Sequence, residues 1–168
     1  MNLRHDSMPK MLPGWVALAL LSLTTTQVWA LTDRAEQCIN EAALYHHVSA
    51  DILRAIVLVE SRGNPSVVTN NKNRSVDVGL TGINSVHFPE LAQKGITPAN
   101  LLDECVSVYV GAWKYSKKVY KHGNTWTAVG AYHSETPFYN ERYQILIYNK
   151  LLNLGVISGS KLREIPLK

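Results

Sequence analysis

Glu60 is the residue whose setting departs most from an ordinary surface carboxylate. It follows Val57-Leu58-Val59 at the end of the most apolar stretch after residue 30 and precedes the breaker Gly63-Asn64-Pro65. A carboxyl held against apolar neighbours favours its neutral form, so its pKa rises. A carboxyl that is neutral at neutral pH can give up a proton, which glycosidic cleavage demands of its acid. On position alone, a helix-end glutamate reaching out to water is the other reading. Most of the remaining carboxylates among the 13 Asp and Glu fit helix starts or solvated faces. No Cys-His cluster has zinc spacing and no Gly-rich phosphate loop occurs, so neither a metal nor a cofactor is expected.

The elements that must position Glu60 are mostly helical. Ala35, Cys38, Ile39, Ala42, Ala43 and Tyr45 predict a helix over 34–47 with Asp33 as its N-cap. Ser49 is placed to cap a second helix, which carries Ile52, Leu53, Ile56, Val57, Leu58 and Val59 and ends near Glu60. That run is apolar nearly all round, which predicts a central, buried helix. Residues 63–78 are polar and rich in Asn and Ser, and read as loop with a small hairpin. A short helix is expected after Asn84 and another helical stretch from Thr97-Pro98. Cys105, Val108, Tyr109, Ala112, Trp113, Ser116, Val119 and Tyr120 follow helical spacing over four turns, ended by His122-Gly123-Asn124. Residues 126–132 predict a short helix stopped near Pro137, and 139–154 a last one. From Gly155 the chain reads as a frayed tail.

The 168 residues, with 46% hydrophobic and 18% charged, describe one globular domain rather than a disordered or polyelectrolyte chain. The formal charge of +4 carries no basic run longer than Lys117-Lys118. It suits an anionic partner such as a cell wall, and no nucleic-acid role is expected. Arg4 and Lys10, the apolar run Val16–Leu23 and the small residues around Val28-Trp29-Ala30 read as a cleaved secretory signal over 1–30; an uncleaved N-terminal anchor is the alternative. The apolar run is too short for a stable bilayer span. Two cysteines behind such a signal, Cys38 and Cys105, read as one disulfide closing a long loop, stabilising by about 4 kcal/mol, with two buried free thiols as the alternative.

Three segments carry a family resemblance. Ala55-Ile56-Val57-Leu58-Val59-Glu60-Ser61-Arg62-Gly63-Asn64-Pro65 resembles the Glu-Ser motif of the soluble lytic transglycosylases, whose domain is lysozyme-like. Asp77-Val78-Gly79-Leu80-Thr81-Gly82-Ile83-Asn84-Ser85 resembles the second motif, usually Gly-Leu-Met-Gln followed by Ile-Asn. Ala128-Val129-Gly130-Ala131-Tyr132-His133 resembles the third, usually Ala-Tyr-Asn. The resemblance runs from about Cys38 to Leu152. The cysteine pair and Asn100–Cys105 resemble the small stand-alone branch that accompanies conjugation, type IV pilus and type III or IV secretion machines.

The resemblance implies a mainly α, lysozyme-like (α+β) domain over 31–154, with a small β-hairpin region, in the periplasm, and a tail over 155–168. It implies Glu60 as the single acid/base acting on peptidoglycan glycan strands, between MurNAc and GlcNAc. Ser61 would position Glu60 or substrate; Gly79, Leu80 and Asn84 would line the sugar groove; Tyr132 would hydrogen-bond near Glu60. The plainer readings are core for Leu80 and Tyr132, a turn glycine for Gly79 and a helix-end cap for Ser61. Thr81, Gly82 and His133 stand where Met, Gln and Asn are usual. Thr81 would offer a sugar less apolar surface than Met, Gly82 offers no amide, and His133 can donate a hydrogen bond but also titrates at about 6.5. These departures predict a weakened groove that Thr81→Met with Gly82→Gln would strengthen. They also motivate a rival reading as a wall-binding assembly factor without turnover. A hydrolytic lysozyme is the third reading, with Asp77 or Glu135 as its second carboxylate.

Overall fold

A computed structural model describes residues 31–167; the secretory-signal reading of 1–30 and residue 168 lie outside the described residues. Helix α1 (Asp33–His46) starts at Thr32, whose hydroxyl accepts the Ala35 N–H. Thr32, not Asp33, is therefore the N-cap, and Asp33 sits inside the first turn, where its charge meets the positive helix end. His47 closes the helix in the left-handed region (φ 54°). Helix α2 (Ala50–Glu60) then starts at Ser49, which caps the Ile52 N–H.

The nearly all-round apolar character of α2 has a structural cause. Its Leu53 and Val57 pack with α1, Leu80 and α4 (Glu104–His122), while Ala55 and Ile56 pack with Tyr115, α5 (Trp126–His133) and α6 (Pro137–Asn153). The helix thus serves two clusters at once and delivers Glu60 from between them. A disulfide joins Cys38 of α1 to Cys105 at the start of α4, with the Cα atoms 5.2 Å apart.

The polar segment after α2 forms the expected hairpin and adds a third strand. Strands β1 (Val68–Asn70), β2 (Val76–Val78) and β3 (Ile83–Asn84) pair antiparallel in the order β1-β2-β3, with Thr69 opposite Asp77 and Asp77 opposite Asn84. Val78 and Ile83 point into a third cluster with Leu91, Leu101 and Val110, which seats the sheet on α4. A 3-10 turn at Ser85–His87, helix α3 (Phe88–Ala92) and a second 3-10 segment at Pro98–Leu102 complete this side.

Two further expectations need correction. Pro137 does not stop α5, which ends at His133 with Ser134 as its C-cap; it occupies the first turn of α6, where its missing N–H costs nothing. Nor is the segment after Gly155 frayed. Asn149 donates to the Leu162 carbonyl (2.9 Å) and accepts the Leu162 N–H (2.8 Å), and Arg142 Nε donates to the Ile165 carbonyl (2.9 Å). Ile157 adds apolar contact, so the tail runs as a strap against α6. Among the described residues, no helix is long and apolar enough to cross a membrane.

Candidate active site

Glu60 is the last residue of α2, and the chain turns away immediately after it. Ser61 Oγ donates to the Val57 carbonyl (2.9 Å) and accepts the Gly63 N–H (3.2 Å), while Arg62 and Gly63 take positive φ values of 56° and 85°. Ser61 is buried by this capping role and does not reach the groove. Glu60 does. It lies on a groove of about 760 Å³ whose walls are Asp77 and Asn84 of the sheet, Lys114 and Lys118 of α4, and Tyr132 and His133 of α5.

The two carboxyl oxygens of Glu60 have different neighbours. Oε1 accepts a 2.5 Å hydrogen bond from Tyr143 Oη of α6. Oε2 lies against Gly82. Burial pushes the Glu60 pKa above the ordinary carboxylate value; the Tyr143 hydroxyl and the Lys114 charge pull against that shift, and the Asp77 charge adds to it. Burial of a carboxyl with one oxygen bonded and the other toward a cleft is the setting of a proton donor.

The turn from Gly79 to Gly82 explains the departures noted in the sequence. Gly79 has φ 79°, and a Cβ there would run into the Leu101 carbonyl and Ser107 Oγ. It is a close-approach glycine and does not line the groove. Leu80 is fully buried in the core shared by α1, α2 and α4. Thr81 is fully buried too: its hydroxyl donates to the Ser107 carbonyl (2.7 Å), its N–H donates to Ser107 Oγ (3.2 Å), and its side chain fills the space above Gly111, where a Cβ would come within 2.5 Å of Thr81 Cγ2. Gly79, Leu80 and Thr81 therefore build the turn from behind.

Gly82 completes the turn on the groove side, with φ 57°. A Cβ on it would lie 2.7 Å from Glu60 Oε2. The open groove positions that the expected gain from Thr81→Met with Gly82→Gln assumes are not found: Thr81 is enclosed by Ser107 and Gly111 away from the groove, and a Cβ at 82 would press on the Glu60 carboxyl.

Tyr132 and Tyr143 divide the work that the sequence assigned to Tyr132 alone. Tyr132 Oη donates to the Thr81 carbonyl (2.6 Å) and so fixes the turn that faces Glu60. Tyr143 holds Glu60 itself. The Tyr143 ring stacks on Tyr132 (centroids 6.2 Å) and on His133 (5.1 Å, planes 6° apart). His133 lines the groove, and burial, with Lys114 and Arg142 nearby, lowers its pKa below the ordinary value. It therefore faces the groove as a neutral imidazole at neutral pH, not as the half-titrated group expected from its type.

Asn84 lines the groove, but its amide is already used, donating to Asp77 Oδ1 (2.7 Å) and Ser75 Oγ (2.9 Å). Asn71 donates to the other Asp77 oxygen (2.8 Å), so Asp77 is oriented through both oxygens. Glu135 lies at the groove edge, bonded to Lys118 (2.7 Å), Lys121 (3.2 Å) and His122 (3.0 Å). The Lys118 hydrogen bond is the largest influence holding its pKa down, to about 2. It is an ionised surface carboxylate, unsuited to donating a proton.

Sequence reasoning missed two site residues. Tyr143 falls on the buried stripe of α6 with Ile147 and Leu151, four and eight residues on, and a buried tyrosine hydroxyl needs a partner. Lys114 lies three residues after Gly111 and four before Lys118, on the face of α4 that meets Thr81 and the groove. A small residue followed one turn later by lysine was the available signal. Lys114 Nζ sits 4.0 Å from the centre of the Tyr132 ring. Burial lowers its pKa to about 8, against the opposing pull of Glu60 and Asp77.

The chain matches the family model described as Transglycosylase SLT domain over residues 37–141. Invasion protein IagB of Salmonella typhimurium is 36% identical over 122 residues, covering 72% of this chain and 71% of that protein. X polypeptide of Escherichia coli is 37% identical over 102 residues, 60% of each chain. Protein IpgF of Shigella flexneri is 29% identical over 133 residues, covering 76% of this chain and 88% of that one.

Proposed function

The chain belongs to the transglycosylase SLT domain family, and from that premise we propose that it cleaves the MurNAc–GlcNAc β-1,4 bond of peptidoglycan with Glu60 as its single acid/base. The observation that carries the reading is the Glu60 carboxyl at the groove, with Oε1 bonded by Tyr143 and Oε2 beside side-chain-free Gly82. In the first step the protonated Glu60 gives its proton to the glycosidic oxygen. The bond from that oxygen to muramic acid C1 breaks, and the carbonyl oxygen of the sugar's own N-acetyl group bonds to C1. In the second step the Glu60 carboxylate takes the proton of the 6-hydroxyl. O6 bonds to C1, the acetamido oxygen leaves, and a 1,6-anhydro ring closes. Glu60 ends protonated and no water is consumed, so no second carboxylate is required.

The role we infer for this cleavage is local opening of the wall, in the periplasm, for a trans-envelope secretion, conjugation or pilus machine. The likeness to a protein named for invasion supports it. Cleavage of purified sacculi in 18O-labelled water tests the chemistry. Transglycosylation leaves the new ends unlabelled, whereas hydrolysis labels each new reducing end. Hydrolysis has one structural point in its favour, the Asp77 carboxylate fixed by two amides on the same groove. Binding without any cleavage would support the assembly-factor reading.

A further inference from the structure

Lys114 carries a charge into the groove that no part of the proposed reaction yet uses. Its side chain is mostly buried between α4 and α5, and its ammonium rests over the face of Tyr132. Among the described residues it donates no hydrogen bond. Tyr132 stacks on Tyr143, and Tyr143 bonds Glu60, so the cation lies against the assembly that holds the acid. The side chain is partly withdrawn from water while its ammonium opens on the groove, so any negative charge that forms nearby in the groove is stabilised by it.

We propose that Lys114 is the counter-charge for the Glu60 carboxylate, a positioning residue whose fixed cation stabilises the anion formed when Glu60 gives up its proton. The proposal rests on the Glu60 acid/base reading and deepens it. Before the step Lys114 shares the groove with a neutral Glu60 and has Asp77 as its opposing charge; after it the Glu60 carboxylate is a second anion acting on the same cation. The interaction is thus stronger when the proton has left than before, which is the condition for lowering a barrier. Tyr143 supplies the local hydrogen bond and Lys114 the longer-range field.

The other charged and titratable groups around this pair are Asp77 on β2, Lys118 one turn along α4, His87 of the 3-10 turn, His133 and Tyr132 on α5, and Arg142 and Tyr143 on α6. Asp77 opposes the effect of Lys114 on Glu60. Lys118 is already committed to Glu135. His133 and His87 are kept toward their neutral forms by burial and by Lys114 itself. Lys114 is the one cation among these that counts directly toward holding Glu60 down.

The test is a titration of the Glu60 carboxyl by 13C NMR, its signal assigned by its absence in Glu60→Gln, together with pH profiles of muropeptide release. Lys114→Met should raise the Glu60 pKa, since removing a nearby opposite charge favours the neutral acid. The alkaline limb of kcat should move up by the same amount. At acidic pH, where Glu60 is protonated in both proteins, kcat should fall roughly 10-fold with KM little changed. Lys114→Arg should restore most of both. In the unsubstituted protein, the Glu60 signal should respond a second time near pH 8 as Lys114 loses its proton, which needs no variant to fold. An unmoved Glu60 titration in Lys114→Met, or no second response in the parent, overturns the proposal. So does a change confined to KM, which would make Lys114 a substrate contact. If the parent shows no turnover, the catalytic reading fails, while the titration still decides whether the two charges are coupled.

Discussion

Tyr143 Oη donates a 2.5 Å hydrogen bond to Glu60 Oε1, joining residues 83 positions apart on α6 and α2. The bond fixes the carboxyl, occupies one oxygen and leaves the other toward the groove. It also favours the ionised form, against the burial that favours the neutral one. Tyr143→Phe should keep the fold, because the ring still stacks on Tyr132 and His133. Losing a hydrogen bond to a charged group costs about 1.5–3 kcal/mol, so release of muropeptides should fall roughly 10- to 150-fold. Comparison of release rates at matched circular dichroism checks this.

Gly82→Ala should be nearly inactive and also less stable. The added Cβ would sit 2.7 Å from Glu60 Oε2, on a residue with φ 57°. The backbone conformation alone costs about 1 kcal/mol or more for a non-glycine residue. Thermal melting and a release assay on the same sample check both parts. Thr81→Val belongs with it as a purely structural control: it leaves the Ser107 carbonyl without the Thr81 hydroxyl and should destabilise by about 1–3 kcal/mol.

Glu60→Gln should stabilise the fold at neutral pH. Because the folded pKa of Glu60 is raised, the unfolded chain loses this proton first as pH rises, and folding is penalised from the unfolded pKa upward. The stability associated with the neutral carboxyl is fully present below the unfolded pKa and is lost as pH rises through the folded one. Gln has no proton to lose. The melting-temperature gain of Glu60→Gln should therefore be near zero at about pH 4 and grow toward neutrality. Melting curves across that range decide it, and a gain that is constant with pH would contradict the raised pKa.

Reduction of Cys38–Cys105 should cost about 4 kcal/mol, the chain-entropy value for a loop with a separation of 67 residues. Urea unfolding with and without reductant measures it.

Asn149→Ala should release the C-terminal strap, since Asn149 makes both side-chain hydrogen bonds to the Leu162 backbone. Limited trypsin digestion should then cut after Lys161 and Arg163 well before the core, at rates the parent does not show.

The helices were legible because each has a local signal: Ser49 before α2, Asn84 before the 3-10 turn, and the i, i+3, i+4 pattern of α4. Glu60 was legible for the same reason, as a carboxyl at the end of an apolar helix. What was not legible depends on contacts remote in sequence. Tyr143 reads as an aromatic on a buried stripe until α6 is laid against α2. Thr81 looks like a shortened groove residue until Ser107 and Gly111 enclose it. Pro137 is a breaker in any local reading, and only the direction of the chain after Ser134 makes it a helix start. The strap was missed because its anchors, Asn149 and Arg142, are polar residues on a helix whose pattern drew attention to its apolar face.

In the proposed reaction Glu60 alone moves both protons of a water-free cleavage. Mass spectrometry of muropeptides released from purified sacculi by the parent and by Glu60→Gln tests it most directly. The parent should leave 1,6-anhydro ends, one water lighter than reducing ends, and the folded Gln variant should release at least about 100-fold less. Reducing ends from the parent, or near-parental release by Glu60→Gln, would contradict it.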